Sequence, residues 1–170
     1  MRKKGQMLSQ PFVYIFALIV GALILVWGGK TVLDLLQTGS QVNVGSYIKS
    51  LEQDVAAYKN FGEGSKTAKK VDFPQDITYI CFLDLERSAN DCKRKGANNK
   101  IVKCKPEELD EEFAFQIEEP NKNVYILPTD AVKINAFNIK DLKPAQGNPF
   151  CVRNGQDIEI ISKVSYVEVQ

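Results

Sequence analysis

Histidine is absent from the 170 residues of this chain. The sequence therefore lacks the side chain that most often serves as a general base, as a pH switch near neutrality and as a metal ligand. It also contains no C-x2–4-C knuckle, no P-loop and no G-x-G-x-x-G motif, so zinc knuckles, nucleotide hydrolysis and dinucleotide binding have no signature here. We expect a protein that is not an enzyme and that needs no cofactor and no metal ion.

A strong excess of either charge is also missing. The net charge is +1, from 22 basic and 21 acidic residues, and Arg2, Lys3 and Lys4 are three of the basic ones. The rest of the chain is therefore slightly acidic, which argues against a nucleic-acid partner. Hydrophobic residues make up 44% and charged residues 25%, values typical of a folded protein, and the length allows one compact domain beyond the N-terminal segment.

One long apolar run dominates the N-terminal region. The nineteen residues Pro11–Gly29 carry no charge, and as a helix they would be roughly 28 Å long, close to the thickness of a bilayer's hydrocarbon core. The basic residues before the run favour a cytoplasmic N-terminus and an extracytoplasmic C-terminal domain. We predict a single-pass membrane anchor or filament core whose main side chains are Phe12, Tyr14, Phe16, Leu18, Ile19, Leu23, Leu25 and Trp27.

A removable secretion signal is the alternative for this run. Such signals have an apolar core of about 7–15 residues followed by a small-x-small cleavage site. Here the run is longer, the exit sequence Val26-Trp27-Gly28 has a bulky central residue, and the helical pattern continues into "KTVLDLL". We therefore expect the apolar segment to be retained, with the lipid bilayer as its first partner.

The sequence "KKGQ" (3–6), a few residues before this segment, resembles the processing site of archaeal type IV pilin-like proteins with class III signal peptides. The resemblance implies a prepilin-type peptidase that cuts between Gly5 and Gln6, and partners that are copies of the chain or other pilin-like subunits. The family often has glutamate at the fifth mature position, where this chain has Gln10, an amide without that charge. The alternative is that "KKG" is only a basic cap that orients an anchor.

A second helical pattern follows the apolar run. Gly39-Ser40 predicts an interruption, after which apolar residues recur at spacings of three, four and seven, the pattern of an amphipathic helix. The stretch Gly62–Lys70 is polar and basic and predicts a linker or an exposed loop. The apolar positions of the predicted stem helix are Val44, Tyr47, Ile48, Leu51, Val55 and Tyr58.

The remaining sequence predicts short strands. Candidates are 76–85, 113–117, 123–127 and 131–139, and Asn154-Gly155 between apolar stretches predicts a hairpin. We expect an α+β fold: a hydrophobic transmembrane helix and an amphipathic stem helix, followed by a small, mostly antiparallel β domain in one sheet or a small sandwich. The predicted segments are a basic leader at 1–5, the transmembrane helix with its extension at 6–38, the stem helix and loop at 39–64 and the extracytoplasmic β-rich domain at 65–170.

Four cysteines, Cys81, Cys92, Cys104 and Cys151, lie in the predicted outer domain. Outside the membrane an even number indicates two disulfides, although four cysteines allow three connectivities. Cys92 and Cys104 bracket a turn-like stretch and would clamp one hairpin, whereas Cys81 and Cys151 lie in strand-like runs and would join across the sheet. A zinc site is the rival interpretation, and the missing knuckle spacing and the missing histidine argue against it.

Two functions from different classes remain. The first is a structural, membrane-inserted pilin-like subunit of a cell-surface filament or pseudopilus, as the resemblance at Gly5-Gln6 implies. The second is a single-pass, membrane-anchored binding or accessory protein that does not polymerise, which Gln10 favours.

Overall fold

The computed structural model describes residues 10–89, 91–96, 100–104 and 121–170, with the side chains of helix α1 given for 12–32 and from 41 onward. The chain divides into two compact units, one ending at Thr38 and one covering Gly39–Gln170. The predicted strand 113–117 lies outside the described residues.

Helix α1 runs from Gln10 to Lys59. Its first part, up to Thr38, belongs to the first unit, and its second part, from Gly39 to Lys59, belongs to the second unit. The predicted interruption at Gly39-Ser40 is wrong, because the backbone is helical across both residues. One glycine in a helix interior is unfavourable by only about 1 kcal/mol relative to alanine, which helix-favouring sequence on either side can offset. The helix ends at Lys59, after which the backbone N–H of Phe61 donates to the carbonyl oxygen of Tyr58 and Gly64 has a φ of 84°.

The second unit contains ten strands among the described residues, arranged in two sheets. One sheet has the order β1-β9-β10-β7 and the other the order β4-β3-β8-β2-β5-β6. All pairings are antiparallel except β7 with β10 and β3 with β8, so the mostly antiparallel β domain is confirmed for the part described. The strands are β1 (Lys66–Lys70), β2 (Tyr79–Phe82), β3 (Lys93–Lys95), β4 (Ile101–Lys103), β5 (Val124–Leu127), β6 (Ala136–Phe137), β7 (Leu142–Pro144), β8 (Phe150–Arg153), β9 (Asp157–Ser162) and β10 (Val167–Val169).

Both sheets and the second part of α1 share one hydrophobic core. Ile80 and Phe82 of the central strand β2 point into it, as do Ile158 and Ile160 of β9. The next residue of β2, Cys81, belongs to a smaller cluster, since successive side chains of a strand point to opposite faces. This explains why the sequence 76–85 is apolar without alternation: β2 is buried on both faces.

Strand β1 corrects part of the prediction of a linker or exposed loop at Gly62–Lys70: residues 62–65 contain a turn, whereas Lys66–Lys70 form a strand. It is an edge strand paired with β9, and its side chains alternate between exposed and half-buried. Lysines are common on sheet edges, where they oppose pairing with another chain. The basic composition that indicated a linker is therefore the composition of a protected edge.

The hairpin predicted at Asn154-Gly155 is also wrong. A tight turn forms there, with Gly155 at φ of 89°, but β8 and β9 on its two sides belong to different sheets. Asn154 is bonded to the connection between β1 and β2: its Nδ2 donates to the carbonyl oxygen of Phe73 at 3.0 Å, and its Oδ1 accepts from the same residue's N–H at 2.9 Å. The turn thus passes the chain from one sheet to the other.

Candidate functional site

The apolar part of α1 is the candidate for interaction with a membrane or with neighbouring helices. The segment Phe12–Val32 has 21 residues and a mean hydropathy of 2.4. As a helix it is about 32 Å long. It is long and apolar enough to cross a bilayer, and it is the one such helix in the part of the chain that the structure describes.

The predicted anchor residues are exposed on all sides of this segment, with exposed fractions between 55% and 80%. Phe12, Ile19 and Leu23 lie on one side of the helix and Leu18 and Leu25 on the other, as their spacing requires. Contact between water and a continuous apolar surface of this kind is unfavourable, so such a surface is typically buried by lipid or by another protein. The full set is Phe12, Tyr14, Phe16, Leu18, Ile19, Leu23, Leu25 and Trp27.

The side-chain hydroxyl of Thr31 in this segment is satisfied within the helix itself. The hydroxyl of Thr31 donates to the carbonyl oxygen of Trp27, one turn earlier, at 2.9 Å. Backbone groups bonded inside a helix can enter hydrocarbon without losing hydrogen bonds to water. The segment is therefore compatible with a bilayer in its bonding as well as in its composition.

The predicted processing site, Gly5 and Gln6, lies outside the described residues. Gln10 is the first residue of α1, and its side chain is likewise outside the described part. Cleavage between Gly5 and Gln6 therefore stays a prediction.

The second part of α1 supplies one wall of the core of the second unit. Val44, Ile48, Leu51 and Val55 have exposed fractions of 0–7%, which confirms the predicted apolar face. Tyr47 and Tyr58 pack beside them, and their rings make edge-on contacts with Phe73 and Phe61 at centroid distances of 4.7 and 5.0 Å.

Ion pairs fasten this helical face to the strands. Lys69 on β1 donates to the carboxylate of Asp54 and to the hydroxyl of Ser50, the latter at 2.6 Å. Lys59 donates to the carboxylate of Asp141, before β7. These partly buried pairs set the position of the helix along the sheet, while most of the stability comes from the apolar contacts.

Both disulfides are present, with the pairing that the sequence analysis described. Cys81 and Cys151 are direct partners on the antiparallel strands β2 and β8, with Cα atoms 4.0 Å apart. Cys92 and Cys104 flank the hairpin of β3 and β4, and the N–H of Cys104 also donates to the carbonyl oxygen of Cys92 at 3.1 Å. All four cysteines are consumed in these bonds.

A polar cleft of about 520 Å³ lies beside β7, and the sequence did not reveal it. Lys143 donates to the carboxylate of Glu86 and lies 3.9 Å from that of Asp84, with its ammonium group 5.5 Å from the ring centre of Tyr166. The hydrogen bond to Glu86 and the charge of Asp84 raise the pKa of Lys143 above its ordinary value. The amine is therefore protonated near neutral pH and carries a positive charge in the cleft.

Tyr47 has a buried hydroxyl group without a hydrogen-bond partner among the described residues. Burial, and then the negative charge of Asp54, raise the pKa of Tyr47 above its ordinary value of 10. The folded chain thus favours the neutral phenol. The raised pKa of Tyr47 contributes to the free energy of unfolding. This contribution is present in full below pH 10 and is lost as the pH rises above 10, because the tyrosine then ionises in the unfolded chain before it ionises in the folded one.

We expect Tyr47→Phe to raise the free energy of unfolding of the domain at pH 7 by up to about 1 kcal/mol, because the unpaired hydroxyl is removed. The variant should also lose less stability than the wild type between pH 9 and pH 11. Urea unfolding across this range measures both effects. Tyr58→Phe is the control, since it retains Tyr47 and should keep the wild-type alkaline loss. An alkaline loss that is identical in the wild type and in Tyr47→Phe would contradict this assignment.

The described structure thus offers an exposed apolar helix segment, a helical face built into a β domain, two disulfides and a polar cleft beside β7. No protein-family model, curated protein or solved structure matches this chain.

Proposed function

We propose that this chain is a membrane-inserted subunit of a cell-surface filament or pseudopilus, similar to archaeal type IV pilin-like proteins. The observation that carries the proposal is the double character of helix α1. Its segment Phe12–Val32 presents apolar side chains to the surroundings, and its second part is built into the core of a β domain. One helix therefore contains both an exposed apolar segment and a segment that packs in the core of the β domain.

Two environments can bury the apolar segment: lipid in the membrane, and neighbouring subunits in a filament. In the bilayer, lipid tails surround the segment, and its backbone groups are bonded internally. In a filament, the same segments of neighbouring subunits bury one another, as apolar helices do in bundles. The two disulfides support an extracytoplasmic site for the β domain, since such bonds persist in oxidising compartments.

Processing at Gly5-Gln6 is the second part of the proposal. A prepilin-type peptidase would remove the basic residues 1–5 and retain the apolar helix. The new N-terminus at Gln6 would carry a positive charge next to apolar surface. Gln10 cannot neutralise this charge as a glutamate would, because an amide has no net charge.

Gln10→Glu tests assembly. A carboxylate at this position would pair with the N-terminal amine of a neighbouring subunit, so we expect more filaments in the fraction sheared from the cell surface than for the wild type. Electron microscopy with labelling against the β domain measures the amount. Gln53→Glu adds the same charge at an exposed position of the second unit and should leave the amount unchanged. Absence of labelled filaments for both the wild type and Gln10→Glu would contradict the filament function.

The second candidate is a single-pass, membrane-anchored binding or accessory protein that does not polymerise. Gln10 favours it, and the cleft beside Lys143 offers it a polar surface. Cross-linking in native membranes separates the two candidates. If the chain is a filament subunit, the cross-linked products form a ladder at multiples of its mass. If it is an anchored protein that does not polymerise, it stays at the mass of the monomer.

A further inference from the structure

The two disulfides of the second unit lie side by side. The sulfur atoms of Cys92, Cys104 and Cys151 all lie within 4.8 Å of one another, and that of Cys151 is bonded to Cys81. We call Cys92–Cys104 the outer disulfide and Cys81–Cys151 the inner disulfide. Their four sulfur atoms come from three separate stretches of sequence, and the pairing of β3 with both β4 and β8 brings them together.

The two disulfides differ in their access to solvent. Cys81 and Cys151 have exposed fractions of 0% and 1%, whereas Cys92 and Cys104 are half-buried. The outer disulfide also closes a short hairpin whose strand β4 is the outermost of the described strands in its sheet. Edge hairpins open locally at a lower free energy than central strands do. A thiol in solution therefore reaches the outer disulfide far more readily than the inner one.

We propose that the outer disulfide is a relay through which the buried inner disulfide is reduced and formed. A dithiol in solution first reduces Cys92–Cys104 and is itself oxidised to a disulfide. The thiolate of Cys92 then attacks the sulfur of Cys151, forming a Cys92–Cys151 bond and releasing Cys81 as a thiolate, which takes up a proton. The thiolate of Cys104 next attacks Cys92, restoring the outer disulfide and releasing Cys151. Two electrons thus pass from the outer pair to the inner pair.

The geometry suits this exchange at Cys151 in particular. Thiol–disulfide exchange requires the attacking sulfur to approach one sulfur of the disulfide, and a separation of at most 4.8 Å is closed by a rotation of one or two side chains.

The same steps in reverse form the inner disulfide. The thiolate of Cys151 attacks the oxidised outer pair, and Cys81 then displaces Cys92, so that the inner pair is oxidised and the outer pair is left as two thiols. An external disulfide then reoxidises the outer pair. The inner bond can therefore form after β2 and β8 are buried, when direct contact with an oxidant is blocked.

The test compares the full chain in detergent micelles with its Cys92→Ser/Cys104→Ser variant. Each is treated with dithiothreitol, quenched with N-ethylmaleimide at intervals, and mapped by peptide mass spectrometry. We expect the inner disulfide to be reduced at least about tenfold more slowly in the variant, because the thiols that would attack Cys151 are gone. A purely structural role of the outer disulfide predicts the opposite direction, since a loosened hairpin exposes Cys151.

Two further variants complete the test. In Cys104→Ser the second attack is impossible, so we expect a Cys92–Cys151 peptide to accumulate. In Cys81→Ser/Cys151→Ser the outer disulfide should be reduced at the wild-type rate, within about twofold, because it reacts first with the reagent. An inner disulfide that is lost equally fast or faster in Cys92→Ser/Cys104→Ser, or a Cys104→Ser chain without the mixed peptide, would overturn the proposal.

Discussion

A fragment of residues 61–170 should fail to fold, whereas a fragment of residues 39–170 should fold into a soluble domain with both disulfides. The difference between them is the second part of α1. Its residues Val44, Ile48, Leu51 and Val55 are 0–7% exposed and face the apolar side chains of both sheets. Burying side chains of this size contributes about 1.5–3 kcal/mol each. Their combined loss is comparable with the whole stability of a typical domain, about 5–15 kcal/mol.

Circular dichroism and the dispersion of amide signals in NMR spectra distinguish the two fragments. A milder version of the test is Leu51→Ala in the longer fragment, which should lower the free energy of unfolding by about 2–5 kcal/mol through loss of contacts and a cavity. Val42→Ala is the control on the same helix, because Val42 is 64% exposed, and its effect should stay within about 0.5 kcal/mol. Cooperative unfolding of 61–170 at the temperature of the longer fragment would contradict the assignment of this helix to the core.

The second large effect concerns membrane insertion. Ile19→Arg/Leu23→Arg places two charges near the middle of the apolar segment, where both side chains are exposed. Each exchange of an aliphatic residue for arginine at the centre of a membrane helix disfavours insertion by about 3 kcal/mol. We expect the double variant to leave the membrane fraction upon carbonate extraction, while the wild type stays in it.

The matched control is Ile134→Arg/Val164→Arg. It adds the same charge at exposed aliphatic residues of the second unit, with exposed fractions of 56% and 83%. This variant should stay with the membrane. Retention of both double variants after extraction would show that the apolar segment does not hold the chain in the bilayer.

The sequence predicted those features that depend on local periodicity. Apolar residues every three or four positions identified the buried face of α1 that includes Leu51, and an unbroken apolar run identified β2. The exposed apolar segment was predictable for the same reason, because the nineteen uncharged residues Pro11–Gly29 form a span long enough to cross a bilayer.

The features that depend on distant contacts were harder to predict. The turn at Gly155 was visible, but the sequence did not show that Asn154 would bond to Phe73, some eighty residues earlier, and so separate β8 from β9. The lysine-rich sequence of β1 did not indicate a strand, and its alternation of exposed and half-buried side chains follows from its pairing with β9. The neighbourhood of the two disulfides and the cleft around Lys143 likewise depend on which strands lie together. Hydrophobic patterns determine which face of an element is buried, but they do not determine which other element packs against that face.

The mass of the mature protein, isolated from its native membrane, tests the central proposal most directly. A pilin-like subunit processed by a prepilin-type peptidase should begin at Gln6, with residues 1–5 removed and the apolar segment Phe12–Val32 retained. A chain that still begins at Met1 would contradict processing, and one that begins near Gly29 or Lys30 would show that the apolar segment is a discarded secretion signal.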